Sequence, residues 1–76
     1  GGGCSLCQAA NPEIESLNQN INQSRQVHEK AKFAKLLLEK SDSLIERHQD
    51  KNLPCVQVLK IRKQTAELII KAQKLA

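Results

Sequence analysis

Aromatic side chains are almost missing from this chain of 76 residues: Phe33 stands alone, with no Trp, Tyr or Met to support it. A core must then be assembled from Leu, Ile, Val and Ala. That palette suits helix packing better than a small β-barrel, whose strands favour aromatic and β-branched residues. The same scarcity removes the stacking platforms on which single-stranded nucleic acid is held. Glycine occurs only at positions 1–3, which leaves no glycine-rich phosphate loop. No run approaches the roughly 18 consecutive apolar residues of a membrane span. Nor is there a signal-like apolar segment to argue for an oxidising compartment, so the three cysteines are expected in the cytoplasm or nucleus.

What the chain does have is helical periodicity. In residues 52–76, Val58, Ile61, Thr65, Leu68, Ala72 and Leu75 recur at alternating spacings of three and four, which draws one stripe down a helix. This stripe is expected to pack against the rest of the module. Lys60, Lys63, Glu67, Lys71 and Lys74 keep the same rhythm on another side and are expected to face solvent. Asn52 and Pro54 mark the start, since Asn caps helices and Pro is tolerated in the first turn.

Two further stripes precede it. Asn11, Pro12 and Glu13 read as another helix start, followed by Ile14, Leu17 and Ile21. Out of phase with these come Val27, Ala31, Ala34, Leu38, Ser41, Ile45 and His48, widened by Phe33, Leu37 and Leu44 into a face broad enough for two neighbours. No Gly or Pro lies between Glu13 and Leu53. Either the chain bends back near Ser24 to His28, where the phase changes, or one long helix forms a hairpin that self-associates. The polar turn at residues 49–52 makes the second and third helices antiparallel neighbours. The expected fold is all-α, a small antiparallel bundle over residues 11–76, with residues 1–10 as a flexible tail.

Cysteines 4 and 7 in that tail admit three readings. The first is a structureless end. The second is acylation of Gly1, with Ser5 placed where the glycine-x-x-x-Ser/Thr pattern wants a hydroxyl and Cys4 and Cys7 available for a second, reversible chain. The third is metal binding, because Cys-x-x-Cys offers two thiolates; structural zinc wants four ligands, and His28, His48 and Cys55 are not paired at short spacing. On spacing alone no metal ligand and no cofactor is assigned. Cys55 reads as a small apolar filler.

Catalysis needs a nucleophile, a base and a group that orients the base, and neither His28 nor His48 has such neighbours along its helix, so an enzyme is not expected. Net charge is +4, and residues 53–76 supply that whole excess, with five basic side chains against Glu67. A basic end suits an acidic partner. The expected function is a non-catalytic protein–protein interaction or assembly module that meets an acidic or helical protein, or a second copy, through Lys60, Lys63, Ile70, Lys71 and Lys74. Two alternatives stand beside it. One is a scaffold held to the cytoplasmic face of a membrane by acylation at Gly1, Cys4 or Cys7. The other is weak, nonspecific nucleic-acid binding through the lysines, with no aromatic platform to strengthen it.

Overall fold

The computed structural model describes residues 4–75, which form three helices: α1 (Ser5–Gln23), α2 (Val27–Arg47) and α3 (Pro54–Leu75). They run up, down and up as a bundle of about 37 × 20 × 16 Å. The long axis matches helices of this length at 1.5 Å per residue. α2 is central. Both other helices pack along it, whereas α1 and α3 barely meet. No strand occurs among the described residues.

The first helix starts seven residues earlier than its Asn-Pro signal predicts. Cys4, with extended backbone, caps it, and its sulfur accepts the Cys7 amide at 3.4 Å. Residues 5–10, expected in a flexible tail, are therefore helical, and Pro12 sits in the helix interior. Proline there removes one backbone donor and is unfavourable by roughly 3 kcal/mol in a helix interior. Something must hold the first turns in place against that cost. Gly1, Gly2 and Gly3 lie outside the described residues.

The bend expected near Ser24 is present. Ser24 turns to extended backbone, its amide bonds to the Asn20 and Ile21 carbonyls, and its hydroxyl donates to Asn20 O at 2.6 Å. The Lys30 ammonium reaches back from α2 to Ile21 O at 2.8 Å. A cation on the negative end of α1 is favourable by both charge and hydrogen bonding. At the other turn, Asp50 accepts the Asn52 amide at 2.9 Å, and Lys51 folds over the last carbonyls of α2, including Glu46 O at 3.1 Å. Pro54 opens α3 as the sequence predicts.

The core follows the predicted stripes of α1 and α2. Ile14 and Ile21 are buried and Leu17 packs against them; Ala31, Ala34, Leu37, Ser41 and Leu44 form the inner face of α2. The small residues Ala34, Ser41 and Ala66 are fully enclosed, which permits close approach of the backbones.

α3 is rotated relative to expectation. Its buried face is Val56, Leu59 and Ala66, with Lys63, Ile70 and Gln73 half-buried beside them. Val58, Ile61, Thr65, Leu68, Ala72 and Leu75, the stripe expected to pack, are all exposed. Both sets carry the same alternation of three and four, displaced by two positions. Periodicity could not choose between them, and composition favoured the wrong one. Two cross-helix contacts help set the rotation. Arg62 bonds Glu15 of α1 at 3.0 Å, and the Cys55 sulfur lies 3.5 Å from that of Cys4. Turning the apolar stripe inward would swing Cys55 away from that sulfur by about 160°, since two positions at roughly 100° per residue make most of a half turn.

Candidate metal centre

An up-down-up bundle brings the start of α1, the end of α2 and the start of α3 to one pole. Each of those three ends carries a sulfur or imidazole. Cys4 caps α1 and Cys7 lies one turn on; His48 closes α2; Cys55 stands in the first turn of α3. Their ligand atoms all lie within 4.8 Å of one another. Cys4 Sγ is 2.9 Å and Cys7 Sγ 3.4 Å from His48 Nε2, and Cys55 Sγ is 3.5 Å from Cys4 Sγ. A tetrahedral zinc with sulfur and nitrogen ligands requires edges of about 3.5–3.8 Å, given its bond lengths of roughly 2.3 and 2.0 Å. The observed separations, from 2.9 Å to at most 4.8 Å, bracket that figure.

The imidazole is already oriented for coordination. His48 Nδ1 faces Leu44 O at 2.6 Å, so it is the protonated nitrogen and donates there. A bound cation would take the place of any proton on Nε2 and meet its lone pair there, the tautomer found where a second hydrogen bond fixes a metal-bound histidine. The ring is 5% exposed. Burying so polar a group at the end of a helix is explained by its partners on both nitrogens.

Charge in the cluster is uneven. The Cys4 thiol is lowered to about 6 because the Cys7 amide and the His48 ring both hydrogen-bond its sulfur, at the positive end of α1. Burial, together with the neighbouring Cys55 and Cys4 sulfurs, pushes Cys7 up to about 12. The Leu44 carbonyl and then the Cys4 sulfur raise His48 above the usual imidazole range. Three thiolates in one site would repel each other; a divalent cation among them would reverse that penalty, since it favours deprotonated sulfur outright. All three cysteines are free thiols. The donor set, three soft sulfurs and one imidazole, fits zinc better than magnesium or calcium, which take oxygen ligands.

Spacing along the chain points to Cys4 and Cys7 and offers His28, His48 and Cys55 beside them, but assigns no metal because none of those three is paired at short spacing. The signal was topological. Had α1 been extended back to Cys4, the antiparallel path alone would have set Cys-x-x-Cys against the turn that carries His48 and Cys55. His28 lies exposed in the first turn of α2, at the opposite pole. Cys4 and Cys7, the cysteines considered for acylation, turn their sulfurs into the cluster, and Gly1 lies outside the described residues.

The proposed partner-binding residues lie on one side of α3 but differ in exposure. Lys63 bonds Asp42 of α2 at 2.6 Å, which raises its pKa, and is half-buried. Ile70 packs against the core instead of facing solvent, because the rotation of α3 carries it inward. Lys60 is half-buried, and Lys71 and Lys74 are exposed. A cleft of about 560 Å³ runs between α1 and α3 beside the cluster, walled by Ala10, Pro12, Ile14, Val58 and Leu59. No described helix is long and apolar enough to cross a membrane. Searches of protein-family models, curated proteins and solved structures find no match to this chain.

Proposed function

We propose that Cys4, Cys7, His48 and Cys55 hold one zinc ion in a structural role, and that the chain is a non-catalytic helical module for contact with another protein. The observation that carries this is the meeting of four ligand atoms within 4.8 Å, drawn from three helix ends up to 51 residues apart in sequence. Four protein ligands close the coordination sphere. A catalytic zinc keeps one position open for water or substrate, so the donor count favours scaffolding over chemistry. The ion also answers a problem of size. A chain of 76 residues with one aromatic side chain buries a modest core, and small domains of this kind commonly need a staple. A disulfide between Cys4 and Cys55 would leave Cys7 and the orientation of His48 without a role.

Reduced protein titrated with Co²⁺ tests this. One ion per chain is expected, with the thiolate charge-transfer and ligand-field bands of a tetrahedral sulfur-rich site, displaced by one equivalent of Zn²⁺. Cys7→Ser and His48→Ala should each weaken zinc at least ~100-fold, more than the 10–100-fold typical of outer-shell changes. Absence of the tetrahedral bands, or full affinity in both variants, would reject the site.

A further inference from the structure

α3 has two apolar faces, and the bundle uses one. On the other, Val58, Ile61, Leu68 and Leu75 are 51%, 59%, 68% and 82% exposed, with Thr65 and Ala72 completing the row. Together they form a strip of several hundred Å² along the whole helix, as large as the biggest patch on a typical monomer. Its alternation of three and four is the seam along which helices pair side by side. Its charged neighbours are mostly basic. Lys60, Lys71 and Lys74 lie to one side with Glu67, the only carboxylate on the helix, and with the neutral Gln57 and Gln64; Arg62, bonded to Glu15, lies to the other.

We infer that this seam is the docking surface for an acidic amphipathic helix of another protein, whose apolar row meets Ile61 and Leu68 and whose flanking carboxylates meet Lys60, Lys71 and Lys74. The inference rests on the reading of the chain as an interaction module, and it does not depend on which metal the cluster holds. Charge complementarity decides the occupant. A second copy would bring residues 53–76, with an excess of four positive charges, against an identical excess. In an antiparallel pair the lysine flank would face its own duplicate, with only Glu67 to relieve it. A membrane surface is less well matched. Helices that lie in the interface carry Trp or Phe on a broad apolar face, whereas this seam is narrow and α3 has no aromatic residue. The contact of Cys55 with Cys4 at 3.5 Å helps fix the rotation of α3 that keeps the seam outward.

The zinc-loaded chain should be titrated with three probes. These are a synthetic helical peptide with Leu at the seam positions and Glu on its flanks, the same peptide with Lys for Glu, and mixed phosphatidylcholine and phosphatidylserine vesicles. The Glu peptide is expected to bind, with affinity that falls as salt rises. Leu68→Asp should weaken it at least ~10-fold, since one buried anchor commonly carries that much. The double variant Lys60→Glu, Lys71→Glu should transfer preference to the Lys peptide. Helix content and zinc stoichiometry, measured on each variant, separate a lost surface from a lost fold, because these side chains are exposed or half-buried. Equal binding of both peptides, binding of vesicles alone, or Glu-peptide binding unaffected by Leu68→Asp would overturn the inference. So would a dimer of the chain alone, seen by sedimentation and dispersed by Leu68→Asp. If the Glu peptide binds at the seam to a protein that takes up no metal, the docking surface stands and the zinc reading falls.

Discussion

The two poles of the bundle are held by different means. At one, Ser24 and Lys30 close α1 through bonds to Asn20 and Ile21, each spanning nine positions or fewer. At the other, Cys4, Cys7, His48 and Cys55 come from three helices and as much as 51 positions of chain. Local capping forms as soon as the helix forms. The cluster forms only when the whole path is in place. One pole therefore follows from neighbouring residues, and the other, on the proposed reading, is completed by an ion.

Chelation should expose this difference most strongly. Removing the metal from reduced protein is expected to lower the melting midpoint by on the order of 20 °C, given the large share of folding energy that structural zinc supplies to small domains. Hydrogen exchange read by residue should show the loss concentrated in residues 5–11 and in the turn at 48–53. Amides of residues 20–24 should keep more of their protection. The interior Pro12 adds to the imbalance, because the turns before it have one hydrogen bond fewer to hold them. Even loss at both poles would abolish the comparison.

A smaller effect is expected at the opposite pole. Lys30→Met keeps the length of the side chain and removes its bond to the Ile21 carbonyl, at a cost of about 0.3–1 kcal/mol. Denaturant melts with and without metal should show the same decrement, since the site is remote. A decrement that vanishes on chelation would mean that the poles are coupled. The smallest effect is on reactivity alone. In metal-free protein at pH 7, Cys4 lies above its value of about 6 and is mostly thiolate, whereas Cys7, near 12, stays protonated. Iodoacetamide should label Cys4 before Cys7, as mass mapping of early time points would show, and bound zinc should slow both.

The two prolines show how far local signals reach. Asn52 and Pro54 announced a helix start and one is there; Asn11 and Pro12 sent the same announcement from the inside of a helix. At Pro54 nothing upstream competes. Before Pro12, a sulfur cap, a buried Ala10 and the cluster extend the helix past a residue that usually begins one. The lysines repeat the lesson. Lys63 and Lys71 share a strip on paper, yet Asp42 across the helix pair claims the first and leaves the second to solvent.

By itself the sequence determined an all-helical fold, the turn that sets α2 and α3 antiparallel, and the inner faces of α1 and α2, and it left open whether α1 and α2 are separate helices. These follow from apolar spacing and local caps, which are properties of neighbouring residues. Only the tertiary structure decided which of two equivalent stripes on α3 turns inward, and that a cysteine pair at one end of the chain faces a histidine and a cysteine near the other. Helical rhythm is blind to absolute rotation and to distance along the chain. Both are settled where three helix ends meet and a sulfur on α3 must reach a sulfur on α1.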